Sequence, residues 1–210
     1  MTEGKSNILT REEPYMYATT SGTTRNPKLI PVTHSSQNDL RKLIRVWLSS
    51  ALKDYPEMFH HGILTVTSPE VEDYTAQGVP MGSMSGLTRR KTPTILRKRY
   101  VIPIEVNEVA DYDIRYFLLA RLAFGTPVSA IITPNPSTVL RLIRVGQEDP
   151  ERLIDAIHQG TLGIPSDVLE EQPEDQLALL HSIEKTLTPA PARAGFLETV
   201  TRRYGYLCPK

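Results

Sequence analysis

The spacing of hydrophobic positions changes along the chain, and each change marks an element. Tyr15-Met-Tyr-Ala-Thr-Thr20 is dense in aromatic and β-branched residues and predicts a strand. Lys28-Leu-Ile-Pro-Val-Thr33 predicts a second. Pro31 has no amide proton to give a ladder, which puts that strand at a sheet edge or ends it there. Between them lies the Gly-, Ser- and Thr-rich turn of residues 21–27. From Leu40 the period becomes helical: Leu40, Leu43, Ile44, Trp47, Leu48, Ala51 and Leu52 recur at i, i+3, i+4 and i+7. Ser36 and Asp39 have capping-box-like spacing at its start, and Arg41, Lys42, Arg45 and Lys53 fill the other face, as a solvated surface would.

The pattern then shortens. Gly62-Ile-Leu-Thr-Val-Thr67 predicts a buried strand. Residues 68–94 turn to Gly, Pro, Ser, Met and charge, ending near Arg89-Arg90-Lys91, and predict one long loop, either functional or a hairpin tip. Asp111 can cap a helix running through Phe124, with Ile114, Phe117, Leu118 and Leu122 inward. Val128-Ser-Ala-Ile-Ile-Thr133 predicts a strand, and the Pro134-Asn-Pro-Ser turn starts a helix carrying Val139, Leu140 and Ile143. Pro150 opens another that ends at Gly160, Pro173 opens a third, and a last helix covers about Ala192 to Tyr204. Strand–helix alternation with a helical tail points to α/β.

Composition narrows the class. The chain has 210 residues, with 24 Lys+Arg against 24 Asp+Glu, 40% hydrophobic and 23% charged. That is an ordinary globular balance, with length enough for a sizeable core. Zero net charge lacks the basic excess of a dedicated nucleic-acid binder. No apolar run reaches the roughly 18–20 residues of a membrane span, and the first 14 residues are polar, with no signal-peptide core. The single cysteine, Cys208, excludes an internal disulfide and suits a cytoplasmic setting.

One stretch carries chemistry: Thr20-Ser-Gly-Thr-Thr-Arg-Asn-Pro-Lys28, between the first two strands. Such a loop can turn successive backbone N–H groups toward one concavity and bind an anion. Ser21, Thr23 and Thr24 add hydroxyl donors, Lys28 adds a compact positive charge, and Gly22 allows close approach. It is not a Walker motif. Residue types alone leave it open between a phosphate nest and a Ser/Thr-biased turn.

The residue order, Thr-Ser-Gly-Thr-Thr-x-x-Pro-Lys with Thr33-His34 beyond, resembles the phosphate-binding motif of the adenylate-forming superfamily of acyl-CoA synthetases and luciferases. Tyr100-Val-Ile-Pro-Ile-Glu-Val106, Tyr116-Phe-Leu-Leu-Ala-Arg121, Asn135-Pro-Ser-Thr138, the Leu153-Ile-x-x-Ile157-x-x-Gly160 run and Leu207-Cys-Pro-Lys210 follow in an order similar to the auxin-responsive Gretchen Hagen 3 family of acyl-acid amido synthetases. The polar start predicts a flexible N-terminus over residues 1–14. By the resemblance, residues 15–210 would form an incomplete adenylate-forming domain, with a mixed sheet, flanking helices and a helical C-terminal tail. The resemblance implies ATP-dependent activation of a carboxylic acid as an acyl-adenylate, then amide formation with an amino acid, with Mg2+ neutralising the phosphates. Ser21, Gly22, Thr23, Thr24 and Lys28 would grip the phosphates, with Arg25 and His34 as possible further contacts. Arg25 stands where many relatives have glycine, which bears on the loop's mobility. The family's later tyrosine–Ser/Thr-Glu motif and its ribose-binding aspartate are absent from these 210 residues. The chain therefore reads as an N-terminal fragment needing the remainder of the enzyme; the alternative is a non-catalytic binding or structural module.

Other candidates have blander explanations. His60-His61 with Glu57 lacks a second ligand pair, and neighbouring residues on an extended segment point apart. His34 could equally mark the helix entry. Glu70, Glu72 and Asp73 form no acid–base pair, and Ser83 and Ser85 form no nucleophile elbow. Met81, Met84 and Tyr74 could line an acyl pocket or simply pack.

Overall fold

The computed structural model describes residues 10–20 and 28–207. In chain order the elements begin with strands β1 (Met16–Thr20) and β2 (Lys28–Val32) and helix α1 (His34–Asp54). Strands β3 (Gly62–Thr65), β4 (Asp73–Tyr74) and β5 (Pro80–Gly82) follow, then α2 (Met84–Arg90) and α3 (Thr94–Arg97). The rest is α4 (Tyr112–Gly125), β6 (Val128–Ile132), α5 (Ser137–Glu148), α6 (Pro150–Gln159), α7 (Ser166–Glu170), α8 (Glu174–Glu184) and α9 (Pro191–Tyr204). The fold is mixed α/β. It divides into two compact units, one of Met1–Met58 with Thr67–Arg97 and one of Phe59–Val66 with Lys98–Lys210.

The first unit is built on a mixed sheet of order β2-β1-β5-β4, in which β1 is antiparallel to β2 and parallel to β5. β2 is an edge strand, which leaves the missing donor of Pro31 without a ladder to interrupt. The small core comes from alternate β1 residues, Met16 and Ala18, with Val32 and Leu87. Helix α1 starts earlier than its apolar spacing implied. Its N-cap is Thr33, whose side chain accepts from Ser36 N while Thr33 N donates to Ser36 Oγ, so the box is Thr33–Ser36 rather than Ser36–Asp39. Only Gln37 of α1 is buried, and Leu43 (67% exposed), Val46 and Trp47 lie open. The stripe was legible, but it is only partly covered: Leu40, Ile44, Leu48 and Ala51 are half-buried.

The long loop expected over residues 68–94 is instead β4, β5, α2 and the start of α3. Strands of two and three residues carry no readable period, so the glycines there looked like loop punctuation. Gly78 turns the chain with φ +78°, whereas Gly82 and Gly86 are there for close packing. A Cβ on Gly82 would lie 2.1 Å from Glu70 O, and one on Gly86 would lie 2.5 Å from Ser68 O. The basic run is likewise ordered: Arg89 is buried, and Arg90 pairs with Glu70 at 3.0 Å.

The second unit is organised around α4. Ile114 and every residue from Phe117 to Phe124 are buried, so the helix is covered nearly all round, as its apolar sequence demands. Asp111 caps it through Asp113 N and Ile114 N, as its position predicted. α5, α6, α8 and α9 contribute Leu142, Leu153, Leu180 and Leu197 to the same core. β3 and β6 pair in parallel, from Ile63 with Ala130 to Thr65 with Ile132. α6 begins with Pro150 and ends on Gly160 in the left-handed conformation, matching the sequence expectation at both ends.

Candidate functional site at the β1–β2 hairpin

The site predicted from sequence sits where β1 hands over to β2. The register runs from Met16 opposite Val32 to Thr20 opposite Lys28, so the hairpin closes on Thr20 and Lys28. Ser21, Gly22, Thr23, Thr24 and Arg25 lie outside the described residues. Lys28 is exposed at the mouth of the connection. Because β1 and β5 are parallel, the C-terminal end of β5 at Gly82 lies beside that of β1. Ligands of α/β sheets gather at such carboxyl ends.

The surroundings of that mouth are polar. Thr19 Oγ1 lies 3.2 Å from Glu72 Oε2 and 3.1 Å from Gly82 O. Ser83 accepts from Gly86 N at 3.1 Å as the cap of α2, and its hydroxyl meets Ser85 Oγ at 2.6 Å. Ser83 is thus engaged in capping, and the Ser85 hydroxyl is bonded to it. Glu70 is held by Arg90, Glu72 by Thr19, and Asp73 accepts from Tyr74 N. The acidic trio therefore has three separate partners and no shared one.

His34 is not brought to Lys28. It follows β2 at the hairpin's other end, where its ring stacks on Tyr15 at 4.7 Å. A cluster unseen in the sequence surrounds it. Lys91 Nζ lies 4.4 Å over the Tyr15 ring, 3.2 Å from Tyr15 Oη and 2.9 Å from the buried Gln37 Oε1. Glu12 accepts from His34 N at 3.1 Å and Ser35 N at 3.2 Å. A hydrogen bond from the Ser35 side chain foremost, against the opposing effect of burial and with help from the Ser35 backbone, the Thr33 side chain and the His34 backbone, holds its carboxyl below the ordinary 4.5. An acid before Thr33-His34-Ser35 was the available signal, since anions suit a helix N-terminus.

The remaining candidates do not assemble. Met84 packs against the small core, whereas Tyr74 is exposed. His60 and His61 are exposed, and His61 N donates to Ser129 Oγ. Among the described residues no three His, Cys, Asp or Glu side chains are grouped to hold a metal ion, and Cys208 lies outside them. No helix among the described residues is long and apolar enough to cross a membrane. In the second unit a cavity of about 210 Å³ lies between β6, α5 and the end of α4, lined by Phe124, Ile131, Val139, Leu142 and Ile143, with Arg193 on its wall.

Comparison with known proteins sets these features in a family. Residues 1–209 match the GH3 family N-terminal domain. The fold is similar to that of a GH3.15 acyl acid amido synthetase, with a TM-score of 0.72 at 19% identity, covering 94% of this chain and 34% of that one. A complex of AtGH3.15 acyl acid amido synthetase with 2,4-DB matches with a TM-score of 0.71, also at 19% identity and with the same coverage of both chains. No curated protein matches. The chain spans about a third of the length of these solved structures. By the match across residues 1–209, the chain belongs to the GH3 family through that family's N-terminal domain.

Proposed function

We propose that this chain supplies the phosphate-binding part of an ATP-dependent acyl-acid amido synthetase. The observation that carries the reading is the Thr20–Lys28 sequence, closed by a hairpin that leaves Lys28 exposed at its mouth. In the reaction a carboxylate oxygen attacks the α-phosphorus of ATP and pyrophosphate leaves. The amine of an amino acid then attacks the acyl carbonyl and AMP leaves. Ser21, Gly22, Thr23 and Thr24 would present N–H and hydroxyl donors to the β- and γ-phosphates, and Lys28 would neutralise them. Arg25 adds a second cation at the same turn. Mg2+, when bound, offsets phosphate charge, and the phosphate oxygens themselves supply ligands of the kind it prefers. Adenine, ribose and turnover call on sequence beyond the third of the fold spanned here, and the lone cysteine fits a cytoplasmic enzyme.

The test is ATP binding by residues 1–210, alongside K28A and G22V. Loss of one charge-assisted contact lowers affinity about 10–100-fold, corresponding to about 1.5–3 kcal/mol. Equal ATP affinity in wild type and both variants would overturn the phosphate-loop assignment. A second reading is a non-catalytic binding module, motivated by the missing tyrosine–Ser/Thr-Glu motif and ribose-binding aspartate in these 210 residues. Carboxylate-dependent ATP–pyrophosphate exchange separates the two readings. The fragment reading expects exchange from a longer polypeptide, the module reading expects none from either, and robust exchange by the 210-residue chain alone would exclude both.

A further inference from the structure

The support of β1 changes from backbone to side chain just short of the Thr20–Lys28 connection. On one side β1 pairs with β2 as far as Thr20, but β2 is the edge of its sheet among the described residues. On the other side the register with β5 ends at Ala18 opposite Gly82. There the chain leaves the sheet, with Ser83 capping α2 and Met84 opening it. Beyond Ala18 the tie to β5 is made by a side chain. Thr19 Oγ1 reaches Gly82 O at 3.1 Å and Glu72 Oε2 at 3.2 Å, and its one proton can serve either oxygen. Both acceptors are fixed from behind. Glu72 N donates to Met81 O at 2.8 Å, and the backbone at Glu70 and Val71 packs so closely on Gly82 that a Cβ would not fit.

We infer that Thr19 is a positioning residue for phosphate binding: its hydroxyl anchors the end of β1 to Gly82 and Glu72 and thereby fixes Lys28. The inference rests on the phosphate-loop reading and adds to it a residue outside the loop. Thr19 lies opposite Leu29 and Thr20 opposite Lys28, so a shift at the end of β1 is passed across the ladder to the cation. The edge strand β2 has no described neighbour beyond it to resist that shift. A charge placed in advance binds its anion better than one that must be ordered on binding, and the supporting bonds set how well it is placed. Strand formation does not ask for this hydroxyl. Valine has the same branched shape and an equal preference for strands, so what threonine adds at position 19 is the tie itself.

Calorimetric titration of ATP into the 210-residue chain tests it. T19V keeps the branched shape and removes the hydroxyl, and its ATP affinity should fall about tenfold, the worth of one hydrogen bond. T19S restores the hydroxyl and should bind ATP as wild type does. L87V trims the small core of the same unit, so it should lower the melting temperature yet leave ATP affinity unchanged. That contrast separates placement of Lys28 from a general loosening of the unit. Wild-type affinity in T19V, a T19S as weak as T19V, or an equal loss in L87V would each overturn the inference. K28A tells its failure from that of the phosphate-loop reading. Weak binding by K28A beside wild-type binding by T19V removes Thr19 alone, whereas wild-type binding by both removes the loop assignment as well.

Discussion

Lys91 Nζ donates to Gln37 Oε1 at 2.9 Å, tying the end of α2 to the one buried side chain of α1. The bond spans 54 residues of sequence and spares the carbonyl of Gln37, a residue only 6% exposed, from being buried without a partner. An unsatisfied buried acceptor costs about 1–3 kcal/mol. K91M should therefore lower the stability of the first unit by that order, while K42M, on the solvated face of α1, changes it little. Urea denaturation of the two variants checks this, and equal midpoints would remove the Lys91–Gln37 bond from the account.

Gly82 yields the sharpest steric prediction. The atom nearest a new Cβ is the backbone oxygen of Glu70, 2.1 Å away, which no side-chain rotation can relieve. Gly82 also pairs with Ala18 between β5 and β1, so any shift disturbs the sheet. G82A should cost more than about 3 kcal/mol, beyond ordinary overpacking. G195A is the control, since nothing lies within 4 Å of a Cβ there. Comparable melting temperatures for the two variants would contradict the packing seen at Ser68–Val71.

What the sequence disclosed depended on whether the signal was local. Asp111, Pro150 and Gly160 act within one helical turn of themselves, and the helices they bound were readable. The hairpin was readable too, because β-branched runs flank a Gly- and Ser-rich turn. Gly82 and Gly86 were misread because their partners at residues 68–71 are recruited by tertiary packing, which no short window shows. The stripe on α1 was read correctly as apolar, yet a stripe states only that a face can be buried, and Leu43 and Trp47 are exposed. At the candidate site, Lys28 and the hairpin were legible, whereas the Glu12, Tyr15, Gln37 and Lys91 cluster needed three separate segments brought together.

Glu12 sets a pH dependence. Its carboxyl is held below 4.5, foremost by the Ser35 side chain, so its folded value lies below its unfolded one. The unfolded state then binds the proton more readily, and stability rises with pH through that interval. The contribution is full above the unfolded carboxylate range and disappears as pH falls through the folded value. Denaturation midpoints measured from neutrality down to strongly acidic pH should show a shallower acid limb in E12Q than in wild type. Parallel acid limbs would mean that Glu12 does not cap α1 in solution.

Arg121 makes the last and largest polar claim of the second unit. It is 5% exposed within α4, where Nε donates to Thr161 O at 2.7 Å and an Nη donates to Ala156 O at 3.1 Å. Those carbonyls lie at the end of α6, where Gly160 N and Thr161 N converge on Ala156 O. A cation there opposes the negative end of the helix. Burial lowers the guanidinium's proton affinity, and the charge of Glu184 opposes that effect. Glu184 also accepts from Leu162 N at 3.3 Å, so the turn after α6 is held from two sides. R121M keeps the aliphatic volume but takes the Arg121 donor from Thr161 O and leaves Ala156 O with its backbone donors only, a loss of about 1–3 kcal/mol. R121K keeps a charge but not the planar fork, so it should reach one carbonyl and lose less. Amide exchange near residues 160–162 should accelerate most in R121M, and a wild-type urea midpoint in that variant would show that the turn holds without the arginine.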